Sequence, residues 1–172
     1  MEEFPEWDET IRDPEYKTAT ILFLDIDGVL NIMDGSIYNT CYLMRKSAIP
    51  NKYMEEFAVA RLNHIVKETD CDIVISSSWR SDMEMLKEEM ERVGFKYWNK
   101  VIDRTPFLSS RGEEILEWIS GYETKHNCTV YYCVLEDEPH DLHGIPQEYI
   151  VQPNFRDALT SKDMEDVIAI LL

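Results

Sequence analysis

The chain contains no apolar run near the ~18 residues that a membrane-spanning helix needs. Its opening stretch, MEEFPEWDETIRDPEY, is acidic and lacks the apolar centre of a secretory signal. No membrane partner is expected. Basic residues are scarce: 17 Lys and Arg stand against 34 Asp and Glu, for a formal net charge of −17. Such a surface repels polyanions at long range, so non-specific nucleic-acid binding, which relies on Lys and Arg neutralising phosphates, is disfavoured. The four cysteines, Cys41, Cys71, Cys128 and Cys133, form no CxxC pair, which removes the usual zinc-ligand spacing. Cys71, Cys128 and Cys133 flank or lie within apolar runs and read as buried free thiols, which fits a reducing, cytoplasmic setting. Glycine is also sparse, with six residues, as befits a folded chain rather than a low-complexity one.

The length of 172 residues suits one domain. A chain of this size buries roughly 70% of its unfolded surface, enough for a core without disulfide staples. Residues 1–17 read as an acidic extension and 18–172 as the domain proper. Thr18 to Leu24 is a short apolar run without alternation, the pattern of a strand buried on both faces. Residues 32–52 have no clean period and read as a loop or small insertion, with Tyr38, Tyr42 and Arg45 as contact candidates.

Residues 54–68 place Ala58, Leu62, Ile65 and Val66 on one helical side. CDIVIS, 71–76, is a second buried strand. Ser81 with Glu84 predicts a capping box for a helix carrying Met83, Leu86, Met90 and Val93, closed by Gly94. Lys100-Val-Ile-Asp is a candidate short strand. Ser110 with Glu113 opens a helix whose stripe is Ile115, Trp118, Ile119 and Tyr122. TVYYCVL, 129–135, is a third buried strand, 148–152 another short one, and Thr160 with Asp163 caps a last helix. Short apolar strands alternating with capped helices predict βαβ units: an α/β, Rossmann-like three-layer sandwich with a mostly parallel sheet and helices on both faces.

In such a sheet, ligands bind beyond the carboxyl ends of the strands. This chain places there Asp25-Ile-Asp27-Gly28, then Ser76-Ser77-Ser78-Trp79-Arg80, then Glu136-Asp137-Glu138, with Arg111 in the first turn of the helix before the third strand. Acids, hydroxyls and a guanidinium gathered at one edge suit phosphoryl transfer to a carboxylate. An aspartate can carry the phosphoryl group covalently, and a hard cation such as Mg²⁺ can screen the approach of two anions. Hydroxyl and guanidinium groups can hold phosphate oxygens, and a second acid can shuttle the proton.

ILFLDIDGVLN resembles the first motif of the haloacid dehalogenase superfamily of phosphatases, and IVISSSWR its second. Arg111 stands where the third motif carries Lys or Arg, and VLEDE where the fourth carries paired acids. The set is similar to a small branch of capless domains found in RNA-repair proteins. The resemblance implies Asp25 as nucleophile and Asp27 as general acid/base. It implies Mg²⁺ held by Asp25, the Asp27 carbonyl and the acids Glu136 and Asp137, with phosphate bound by Arg111 and by Ser76 or Ser77. Among the three serines, Ser76, first after the run, is favoured and Ser77 is next. Arg104 competes with Arg111, and Asp141 is a candidate for help through water.

The spacing leaves no room for a large cap domain: Asp25 and Ser76 stand about fifty residues apart, and a helix uses part of that. The expected activity is Mg²⁺-dependent hydrolysis of a phosphomonoester at an open site, on a small molecule or a macromolecular end. A nucleic-acid end as substrate calls for a basic strip formed by Arg45, Lys46, Arg80 and Arg104. A phosphotransferase and a non-catalytic binding protein on the same fold are the alternatives. Oligomeric state is not legible. Single readings of His140 or His143 as site-edge groups rest only on their place after the acidic pair.

Overall fold

The computed structural model describes residues 17–33 and 54–172. Five strands form one parallel sheet: β1 (Lys17–Leu24), β2 (Asp72–Ile75), β3 (Val101–Arg104), β4 (Cys128–Leu135) and β5 (Ile150–Val151). Their order across the sheet is β3-β2-β1-β4-β5, and every neighbouring pair is parallel. Among the described residues, four α-helices connect or close them: α1 (Glu56–Thr69), α2 (Met83–Arg92), α3 (Arg111–His126) and α4 (Ser161–Leu171).

The sheet is buried on both sides, as its apolar runs demand. Leu22, Leu24, Ile73, Ile75, Cys133 and Leu135 point to one face, under α1, α2 and α4. Ile21, Phe23, Val74 and Val134 point to the other, under Ile115 and Trp118 of α3. This is the three-layer α/β fold expected from the sequence, and the described residues contain no cap domain. Each such Leu, Ile or Phe removed from water contributes about 1.5–3 kcal/mol. The helical layers cover the carboxyl halves of β1 and β4 most fully, and in the amino half of β4 Val130 is buried as well. Ile21 to Leu24 are fully buried, whereas Lys17 and Thr18 are exposed and Tyr131 stands in solvent. The two-sided burial expected for all of Thr18–Leu24 therefore holds only for its second half.

Helix starts follow local chemistry, with two departures from the predicted caps. Thr160 and Asp163 close a full capping box on α4. On α3 the Ser110 hydroxyl accepts the Glu113 N–H, but the Glu113 carboxylate turns to the Ser109 hydroxyl instead of completing the box. On α2 the cap is Asp82, whose side chain accepts from Met85 N–H, and not Ser81. Ser81 belongs to a short 3-10 turn, Ser78–Ser81, which delays the helix by one residue. Helix α1 begins at Glu56 and the last strand is only two residues long. The candidate contacts Tyr38, Tyr42, Arg45 and Lys46, the cysteine Cys41, and almost all of the acidic extension and of the 32–52 segment lie outside the described residues.

The sheet's hydrogen-bond ladder continues one residue past four strands. Asp25 N–H donates to Leu135 O, Ser76 N–H to Leu24 O, Thr105 N–H to Ile75 O and Glu136 N–H to Val151 O. Side chains alternate along a strand, so all four side chains fall on the α3 face, continuing the series Phe23, Val74, Asp103 and Val134. In spatial order the row is Thr105, Ser76, Asp25, Glu136, all buried polar residues on adjacent strands.

Candidate active site

The amino end of α3 packs over this row. Arg111, its first residue, directs Nη1 to Glu136 Oε2 at 2.8 Å and to Asp25 Oδ1 at 3.3 Å. Asp141 accepts the Arg111 backbone N–H at 3.1 Å, so it ties down the start of α3. Gly112 is required by packing: a Cβ there would stand 2.2 Å from the His143 carbonyl oxygen. The chain at His143 thus supports the helix through its backbone. His140 is exposed and shares a cavity of about 310 Å³ with Arg111, Glu136, Glu138 and Asp141.

The acids lie close enough to perturb one another. Carboxylate oxygens of Asp25, Glu136 and Asp137 lie within 4.8 Å of each other. Burial raises Asp25 to about 6, with Arg111 opposing the rise and the charges of Asp27 and Asp137 adding to it. Burial and then Asp25 push Glu136 up to about 9, again against Arg111. Asp137 is also raised, first by burial. Burial works against the charge of Arg111, but Glu136 and Asp25 outweigh it and hold its pKa above the ordinary value. Three crowded oxygen ligands, two of them buried, carry more negative charge than one guanidinium relieves. That donor set fits a hard divalent cation.

Gly28 sits between the motifs with φ +76°, and a Cβ on it would lie 2.3 Å from Asp137 Oδ2. The turn after β1 and the acids after β4 therefore meet only because residue 28 has no side chain.

The serines separate cleanly. Ser77 Oγ accepts the Trp79 N–H and caps the 3-10 turn. Ser78 is exposed. Ser76 Oγ is buried in the row beside Asp25 and has no hydrogen-bond partner among the described residues. An unmet buried hydroxyl costs about 1–3 kcal/mol, so its placement here fits an oxygen ligand that arrives with substrate. The structure thus brings Asp25, Ser76, Arg111, Glu136 and Asp137 together and gives Ser77 a local capping bond instead. Arg104 is exposed, with Nη1 donating to the Arg80 carbonyl at 2.6 Å; Arg111 is the arginine that faces Asp25.

Sequence reasoning missed three residues. Arg80, a candidate for a basic strip, is 3% exposed. Its guanidinium donates to the carbonyls of Ser76, Ser77, Thr105 and Pro106 and pairs with Glu114 at 2.8 Å. It is an internal brace for the segments after β2 and β3, and it cannot contribute to a surface strip. Glu114 reads as one more acid in the first turn of α3, yet it is buried and also accepts the Leu108 N–H. Trp79 reads as a core aromatic, and it is one, but its indole Nε1 donates to Asp27 Oδ1 at 3.0 Å. No signal in the sequence marks these three, because the inward aim of each side chain is set by the face of a turn or helix that meets another element.

A parallel sheet with a carboxylate at the end of its central strand, opposed by an arginine and a pair of acids, defines a domain of the haloacid dehalogenase type. The family model described as the HAD domain in Swiss Army Knife RNA repair proteins matches residues 21–164, and the chain belongs to that family. Comparison with curated proteins and with solved structures gives no match. No helix among the described residues is long and apolar enough to cross a membrane.

Proposed function

We propose that this domain is a Mg²⁺-dependent phosphatase that hydrolyses a phosphomonoester through an aspartyl-phosphate intermediate on Asp25. The observation that carries the reading is the grouping of Asp25 with Arg111, Glu136 and Asp137 at the carboxyl edge of the central strand. Mg²⁺, held by Asp25, the Asp27 carbonyl, Glu136 and Asp137, would supply the positive charge that lets an anionic phosphate approach an anionic nucleophile.

The first half-reaction needs a carboxylate oxygen of Asp25 to attack phosphorus while the bond to the ester oxygen breaks. The electron pair leaves with that oxygen, and Asp27, protonated, gives it a proton. In the second half-reaction a water oxygen attacks the same phosphorus and Asp27 takes the water's proton. The bond between phosphorus and Asp25 breaks, which restores the Asp25 carboxylate and releases inorganic phosphate. Arg111 orients two phosphate oxygens with its planar fork, and Ser76 Oγ donates to a third.

With no cap domain among the described residues, the site faces a bulky as readily as a small phosphomonoester. The family's description, a domain of RNA repair proteins, makes a phosphorylated RNA end one substrate class to try. The net charge of −17 and the internal role of Arg80 weigh on the other side. The deciding experiment is hydrolysis of an aryl phosphate by wild type and D25N, with Mg²⁺ and with chelator. The reading expects turnover that needs both the metal and Asp25, and that requires no acceptor other than water. Wild-type-like turnover by folded D25N would remove it.

A further inference from the structure

Thr105 is 1% exposed, Ser76 is fully buried, and neither hydroxyl has a hydrogen-bond partner among the described residues. Their backbones are pinned. Thr105 N–H donates to Ile75 O and Ser76 N–H to Leu24 O. The Arg80 guanidinium donates to both carbonyls, with Nε 3.1 Å from Thr105 O and Nη1 3.0 Å from Ser76 O. The two residues are thus held by one shared side chain, and their hydroxyls are the polar groups left over. The pairing of Ile75 with Arg104 sets Ser76 directly across from Thr105 on the α3 face. Neighbouring strands run about 4.8 Å apart, a spacing that a hydroxyl–hydroxyl bond spans once a side chain turns. Ser76 turns the more freely, because Thr105 is β-branched.

A buried hydroxyl without a partner weakens a fold, and valine has nearly the shape of threonine without that cost. What the Thr105 hydroxyl can serve is Ser76. A hydroxyl carries one proton and two lone pairs. When Ser76 spends its proton on a phosphate oxygen, its lone pairs remain, and Thr105 is the buried donor across from them. The strand order puts Thr105 on one side of Ser76 and Asp25 on the other. We propose that Thr105 is a positioning residue for phosphate binding: its hydroxyl donates to Ser76 Oγ and so turns the Ser76 proton towards the phosphate beside Asp25. The bond from Ser76 to an anionic oxygen is charge-assisted, and polarisation along the chain strengthens both links. This deepens the phosphatase reading and rests on it. It extends the phosphate site by one strand, to the edge of the sheet.

The test is a double-mutant cycle of T105V and S76A in Mg²⁺, read in kcat/KM for phenyl phosphate and in the Kd of inorganic phosphate. T105V nearly keeps the shape and removes the donor. It is expected to lose about 3–10-fold in both readouts, the worth of one hydrogen bond, while T105S, which keeps the hydroxyl, stays within about twofold of wild type. In the S76A background T105V should change neither readout by more than about twofold, because the donor then has no acceptor to act on. A loss as large in S76A as in wild type would show that Thr105 does not act through Ser76 and would overturn the proposal. A T105V indistinguishable from wild type would overturn it too, and both results leave the phosphatase reading in place. If near-UV circular dichroism shows T105V unfolded, T105A takes its place in the cycle. Wild-type-like turnover by D25N, or a wild type that neither hydrolyses the ester nor binds phosphate, would overturn this proposal together with the reading beneath it.

Discussion

Arg80 and Glu114 form a buried ion pair, 2.8 Å long, between the segment that follows β2 and the first turn of α3. Phe107 stacks over the same guanidinium, with Cζ 4.0 Å from the ring centre. The pair sets how the serine segment and the helix bearing Arg111 sit against each other. Burial lowers the pKa of Arg80, and Glu114 opposes that shift most strongly. An arginine stays charged in either case.

Removing one partner should therefore cost more than removing both. E114A leaves a buried guanidinium whose remaining partners are carbonyls, and we expect a loss of about 3 kcal/mol, the lower part of the range for a broken buried pair. The double variant R80M/E114L should recover most of that loss. Urea melts of the three proteins check this; a double variant no more stable than E114A would show that the carbonyl bonds of Arg80, and not its charge pairing, hold the segment.

The contrast between this pair and the motif acids explains what could be read from sequence. Asp25, Ser76, Glu136 and the start of α3 were legible because each follows directly on an apolar run or a capping signal, and strand ends in a parallel sheet converge. Arg80, Glu114 and the Trp79–Asp27 bond were not, because they depend on which face of a helix or turn meets another element. One residue of shift decides that. The 3-10 turn at Ser78–Ser81 supplies such a shift: it moves the cap of α2 from Ser81 to Asp82 and aims both Trp79 and Arg80 inward. Nothing in the composition of SSSWR announces that turn.

The raised acids make stability depend on pH in a direction opposite to that of a salt-bridged carboxylate. Glu136 titrates at about 9 in the folded chain against an ordinary 4.5. The folded state binds its proton more tightly than the unfolded state. The favourable contribution is therefore complete below the ordinary value and is lost as pH rises towards 9. In chelator, the wild type should lose stability between about pH 5 and about pH 8, by up to ~1.4 kcal/mol per pH unit for one proton. E136Q should be flatter over the same interval. Urea melts at several pH values measure both slopes, and parallel slopes would contradict the assignment.

Divalent cation should reverse that loss. A ligand that binds only the folded state stabilises it by mass action, about 2.7 kcal/mol at a hundredfold excess over Kd. We expect the melting temperature to rise with Mg²⁺ and the rise to shrink in D137N, which preserves the shape that packs against Gly28 but removes a charge. Thermal melts across a Mg²⁺ series read this directly. A shift in D137N equal to that of wild type would exclude Asp137 from the metal's ligands.

Asp25 should be costly to the fold and indispensable to the reaction. Burial, Asp27 and Asp137 all raise its pKa to about 6 from an ordinary 3.8, and Arg111 only partly offsets them. Near neutral pH its ionised form therefore destabilises the metal-free protein, by the same sign argument as for Glu136. D25N removes the charge with little change of shape, leaves Arg111 its shorter bond to Glu136, and should raise metal-free stability by about 1–3 kcal/mol. The same substitution should abolish turnover, since an amide cannot take the phosphoryl group. A variant that gains stability while losing all activity is what a nucleophile held against electrostatic cost predicts. If D25N instead lowers stability in chelator, Asp25 serves the fold as a partner for Arg111, and the raised pKa does not describe its energetics.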